Sequence, residues 1–212
     1  AAVPDQINIT TTGGLTIKAV NNTTGSASAD GSAVGEDPDN LSKVGVGAAV
    51  VVNVVHDSND ATLGNGIYNV GSLDIEALKL NIASLVAGTT ATPLSDEFII
   101  SATSGAGAST VGIAGSLALN LVDTESQARI ANAASVTVAG GAVTLAVAAG
   151  TTSTATAAAE VTGTGKLGIG ASIALNILAN RSTAEIGTDA VVAGAGDISL
   201  SANAVHVIDT EA

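Results

Sequence analysis

The stretch LGIGASIALNIL at residues 167–178 decides how the chain is read, because VGIAGSLALNLV at 111–122 and VGVGAAVVVNVV at 44–55 repeat its outline. Each copy has two small residues early and one asparagine late: Asn53, Asn120 and Asn176. These asparagines are 67 residues apart from 53 to 120 and 56 apart from 120 to 176. NIASLVAGTTATPLSDEF, residues 81–98, has no counterpart in the other copies and reads as an insertion that makes up the difference.

Other landmarks keep step with these copies. GGLTIKA (13–19), VGSLDIEA (70–77), GGAVTLAVA (140–148) and AGDISLSA (195–202) alternate apolar and polar residues. Small-residue runs follow them: TGSASADGSA (24–33), SATSGAGAS (101–109) and TTSTATAAAEV (151–161). After each long apolar copy comes a polar stretch, read as a turn, and then a short strand such as DATLG, SQARIA or TAEIG.

The period is 2, helix periodicity is absent, and Val, Ile, Thr and Gly are abundant, so the chain is expected to be all-β. Strands recurring with a long sequence period indicate a parallel β-solenoid, or β-helix, in which each unit buries its face only by stacking on its neighbours. The expected architecture is one domain over 1–212. Its units run roughly 13–69, 70–139 and 140–194, and a fourth then begins. Two windings fit: one coil per unit, or two or three coils of about 20 residues.

Within 167–177 the odd positions Leu167, Ile169, Ala171, Ile173, Leu175 and Ile177 form a branched face, against Gly168, Gly170, Ser172, Ala174 and Asn176. The branched face is expected to line a core. The flat face is expected to meet the small-residue strands or, as a second possibility, a neighbouring molecule or fibre, since Gly in a strand marks the close approach of another backbone. In stacked coils equivalent asparagine amides form a hydrogen-bonded ladder, so Asn53, Asn120 and Asn176 are read as structural. A direct ladder requires one coil per unit.

Composition excludes several classes of function. Apolar residues make up 46% of 212, yet there is one Tyr, one Phe and no Trp, so the aromatic anchors of ordinary binding sites are missing. A net charge of −13 repels nucleic acid. The absence of cysteine removes disulfides and thiolate chemistry. No apolar run is long enough for a membrane helix, and AAVPDQINIT lacks a signal-peptide pattern.

His56 and His206 are isolated, and no nucleophile elbow, zincin motif or phosphate-binding loop occurs. Carboxylate pairs could serve glycoside hydrolysis, but two aromatic residues, Tyr68 and Phe98, offer little grip on sugar. The chain is therefore not expected to be an enzyme or to carry a cofactor. Calcium is the one ion with candidate ligands: Glu36, Asp37 and Asp39 in GEDPDN, and Asp57 and Asp60 in HDSND. Solvated acidic turns are the competing reading.

VGVGAAVVVNVV with DATLG, LGIGASIALNIL with TAEIG, and the intervening GDISLSA strand resemble the repeats of giant bacterial secreted proteins. These are the leukotoxin-like filamentous adhesins and the filamentous-haemagglutinin-type β-solenoids. The resemblance covers most of residues 13–202. It implies a secreted or cell-surface rod used for adhesion or matrix, whose partners are neighbouring repeats, copies of itself, or a host or matrix surface. Two alternatives stand beside it. One is a filament subunit stacking head to tail through exposed strand ends; the other is an ice- or carbohydrate-binding solenoid, suggested by threonine-rich stretches such as TTSTAT at 151–156.

Overall fold

The computed structural model describes residues 1–33, 43–79, 96–107, 110–162 and 167–212, and among these every regular element is a β-strand. The first part of the chain forms β1 (Ala2–Val3), β2 (Ile9–Thr10), β3 (Gly14–Val20), β4 (Thr24–Asp30) and β5 (Val44–Leu63). Next come β6 (Ile67–Val70), β7 (Ser72–Leu78), β8 (Asp96–Gly107) and β9 (Val111–Ile130). The last part forms β10 (Ser135–Val138), β11 (Ala142–Thr162), β12 (Leu167–Ile186), β13 (Val191–Ala193) and β14 (Asp197–Glu211).

All pairings among the named strands are parallel, and they build three sheets. The first is β1-β5-β9-β12 and the second is the short-stranded β2-β6-β10-β13. The third holds β3, β4, β7, β8, β11 and β14. The chain visits the sheets in fixed rotation, and each strand pairs with its equivalent one circuit later. Val111 lies opposite both Val44 and Leu167, and Asn120 lies opposite both Asn53 and Asn176. One sequence unit is thus one circuit.

Elementary constraints explain the cross-section. The first and third sheets are long sides, with strands of 20 or 21 residues in β5, β9, β11 and β12, while the second is a base of strands of at most four residues. Near the base the interior is filled by large side chains, including Leu63, Tyr68, Leu73, Ile75, Ile130 and Leu145. Away from it the core shrinks to Ala49, Val51, Ile100, Ala102, Ala118, Ala155 and Ala157. The sides therefore converge. At the narrow end a Cβ on Gly47 would fall on the carbonyl oxygen of Gly105, and one on Gly31 would fall on that of Ala48.

This taper reverses one sequence expectation. The flat faces of β5, β9 and β12 point inward, where mostly Gly, Ala and Ser, with Val51 and the three asparagines, fit between converging backbones, and the branched faces point to solvent. Gly45, Gly47 and Ala49 are buried while Val44, Val46 and Val50 are exposed. The small-residue strands do pack against the flat face, as Gly170 facing Ala159 illustrates.

Two boundaries differ as well. HDSND and its equivalents are not turns, because β5 continues unbroken through Asp60 to Leu63 and pairs throughout with β9. Of the stretch read as an insertion, residues 81–95 lie outside the described residues. Asp96, Glu97 and Phe98 are ordinary strand, in register with Thr151, Thr152 and Ser153. In the last circuit β11 runs straight across the equivalent break.

Gly47→Ala should destabilise the fold by about 1–3 kcal/mol, because the added methyl must displace a backbone carbonyl. Gly115→Ala, on the outward face, meets only Ala171 O at 3.9 Å and should be neutral or slightly stabilising. Denaturant titration of both variants checks the pair.

Candidate interaction surface

The outward face of β5, β9 and β12 is ordered in columns, because in-register pairing sets equivalent residues side by side. From the narrow end the first six columns begin at Val44, Val46, Ala48, Val50, Val52 and Val54. Their equivalents are Val, Ile, Leu, Gly or Ala, and none carries a charge or polar side chain. Eleven of these Val, Ile and Leu residues are 41–74% exposed.

The next columns change character at once. His56 meets Asp123, with Nδ1 3.1 Å from Oδ2. Arg181 lies 3.9 Å from Glu125, and Arg129 Nε lies 2.8 Å from Glu185. One wall is therefore half apolar and half charged, with the divide between the Val54 and His56 columns. Free apolar surface on this scale marks an interaction site.

The interior of the same strands carries a polar seam between the two apolar cores. Asn53 Nδ2 donates to Asn120 Oδ1 at 2.9 Å, and Asn120 Nδ2 donates to Ser153 Oγ at 2.8 Å. Ser153 Oγ then donates to Asn176 Oδ1 at 2.6 Å, while Asn176 Nδ2 reaches the Ser153 carbonyl at 2.8 Å. The ladder is direct between the first two amides and relayed through Ser153 to the third. Sharing these bonds across circuits satisfies groups that would each cost about 1–3 kcal/mol if buried unpaired.

One seam position holds ions. Lys79, 1% exposed, donates to Asp57 and lies 2.5 Å from Asp96 Oδ2, which is 0% exposed. Asn21 Nδ2 and Thr23 Oγ1 donate to Asp57 Oδ1 at 2.8 and 2.9 Å, and the Thr23 N–H donates to Asp96 Oδ1 at 2.8 Å. Burial pushes the Asp96 carboxyl above its ordinary value, outweighing Lys79 and the Thr23 N–H. Burial acts the same way on Asp57, but hydrogen bonds from Lys79 and Thr23, the Lys79 charge and the Asn21 amide prevail and hold it low.

Lys79 and Asp96 stand on either side of residues 80–95, so their ion pair ties the end of β7 to the start of β8. The register shows what this replaces: Asp57 stands opposite Thr124, and Asp96 opposite Thr151. One circuit on, those threonines, on β9 and β11, contact each other at 3.4 Å, and Ala149 and Gly150 bridge the gap.

The calcium candidates separate. Glu36, Asp37 and Asp39 lie outside the described residues. Strand alternation turns Asp57 inward to Lys79 and Asp60 outward, where it accepts from Ser58 Oγ at 2.7 Å. Among the described residues no three His, Asp or Glu side chains converge in a way that could hold a metal ion. His206, on β14 opposite Thr151, is remote from His56 in the register.

Sequence reading missed Lys79 and Asp96. The available signal was a charge at each mouth of the insertion. Comparison of the chain with protein-family models, curated proteins and solved structures finds no match.

Lys79→Met should cost about 3–5 kcal/mol, since it strands two buried carboxylates. Replacing residues 79–95 by Ala-Gly should be about as damaging on its own, but tolerated with Asp57→Thr and Asp96→Thr together; thermal unfolding of the four proteins tests this. The Asp96 carboxyl, held high, costs stability as pH rises from its unfolded-chain value through its folded one, whereas Asp57 contributes stability that is lost as pH falls through its lowered value. The Tm of Asp96→Asn relative to the parent should therefore climb from acid to neutral pH.

Proposed function

We propose that the chain is a segment of a parallel β-solenoid whose role is mechanical: a rigid extracellular rod in a bacterial surface adhesin or filament, with no catalytic step. The observation that carries this reading is the unbroken register of β5, β9 and β12, 20 residues each, in which every residue stacks on its equivalent. A stack of that kind grows by repetition and offers length and stiffness. The interior is closed by matched side chains and an ion cluster, and the six apolar outward columns vary little between circuits.

A second reading is a filament subunit adding head to tail, in which a coil of the next copy covers β14. Ile198, Leu200 and Ile208 occupy inward positions of β14, opposite Val143, Leu145 and Ser153, yet are 44–56% exposed. Another coil of the same design would cover them. For ice or carbohydrate binding a uniform outward row is needed. The threonine column at Thr24 and Thr152 is broken by Glu97, which weighs against that use.

Inserting a second copy of residues 140–194 should lengthen the particle by about 4.8 Å, the spacing of one strand, with its cross-section unchanged in small-angle X-ray scattering. Growth in width would overturn the rod. Antibody raised against the chain should label intact cells of the source organism, and labelling only after permeabilisation would overturn the surface assignment. Concentration-dependent fibres of uniform width in electron microscopy would favour the subunit reading over an isolated segment.

A further inference from the structure

We propose that two copies of this chain pair side by side, circuit axes parallel, through the six apolar columns of the first sheet's outward face. The inference rests on that face alone and not on the adhesin reading.

Size is the first argument. Six columns on three strands span roughly 36 by 14 Å, about 500 Å² in plan. Val, Ile and Leu side chains standing off the sheet raise the accessible area toward the ~800 Å² that each partner gives to a stable complex.

Shape is the second. Ala48, Gly115 and Ala171 make the third column a groove running along the stack between branched ridges. A two-fold axis parallel to the stack, passing between the third and fourth columns, sets the groove of each copy against the Val50, Leu117 and Ile173 ridge of the other. The same axis pairs the Val46 column with that of Val52, and the Val44 column with that of Val54. All six columns find a partner, and the contact is isologous, so it closes at two copies.

Charge is the third. The chain carries −13, which opposes adsorption to an anionic membrane, whereas the paired columns carry no charge at all. With the axis parallel to the stack, the charged halves beginning at His56 and Asp123 lie on opposite flanks of the pair. An axis running along the strands would instead set groove on groove and face the acidic halves toward each other.

Sedimentation equilibrium of the chain over the micromolar range tests this. A monomer–dimer equilibrium is expected, weakened at least about tenfold by Val50→Lys, a change of 1.4 kcal/mol or more. Ser58→Lys, on the charged half, should leave it unchanged, and all variants should keep the parent circular dichroism and Tm because their side chains point outward. Gly115→Leu separates fitted pairing from mere stickiness: filling the groove should weaken the dimer, and strengthening would overturn the proposal.

The chain has no cysteine, so orientation is readable by oxidation. Val44→Cys mixed with Val54→Cys should form a disulfide-linked pair, and Val54→Cys alone should not. Self-linking of Val54→Cys, a monomer throughout, or a monomer that binds phosphatidylcholine vesicles through this face would each overturn it. End-to-end fibres would survive Val50→Lys, so failure of lateral pairing and failure of the rod reading are distinguishable.

Discussion

In β5, β9 and β12 each side chain sits beside its own equivalent from the neighbouring circuit, with no offset over 20 positions. Parallel in-register pairing of this kind means that a residue is chosen for its column as much as for its neighbours in sequence. Apolar columns tolerate Val, Ile and Leu interchangeably because branched side chains nest. Asparagine columns survive because one amide can donate to the next. A charged column must be neutralised locally, and where Asp57 and Asp96 replace threonines the chain supplies the buried Lys79 between them.

The taper adds the second condition. Two long sheets meeting at a narrow end leave little room between them, and a Cβ on Gly31 or Gly47 would collide with the facing backbone, so the inward positions there are mostly Gly, Ala and Ser. Most of the bulk inside lies near the short base, where Tyr68 and Leu73 are buried, and beyond the seam the core is mostly alanine, with Val51 and Ile100. A core without large side chains still excludes water when the opposing backbones themselves make the contact. The branched residues, displaced from the narrow end, go outside, against the usual preference.

The polar seam joins these two regions at the junction between β7 and β8. A circuit that must accommodate the 80–95 segment keeps its register because Lys79 and Asp96 meet across the gap. Ion pairing of buried groups rarely improves on a well-packed apolar alternative, and the last circuit dispenses with it. What the cluster contributes is a defined junction between the end of β7 and the start of β8.

Much was legible in the sequence. Period-2 alternation, the three copies of the long apolar strand and their late asparagines fix the strand type, the repeat and which residues share a face, because each of these is a local or periodic property. Which face turns inward was not legible. Alternation divides residues into two sets without saying which one meets the core, and here the assignment depends on how closely β8 and β11 approach β5, β9 and β12. The Asp57–Lys79–Asp96 cluster was hidden for a related reason: its members are scattered along the chain, and only the circuit brings them together. Local pattern determined the strands and their columns; the separation between sheets decided what lies inside, what lies outside, and which surface is left for a partner.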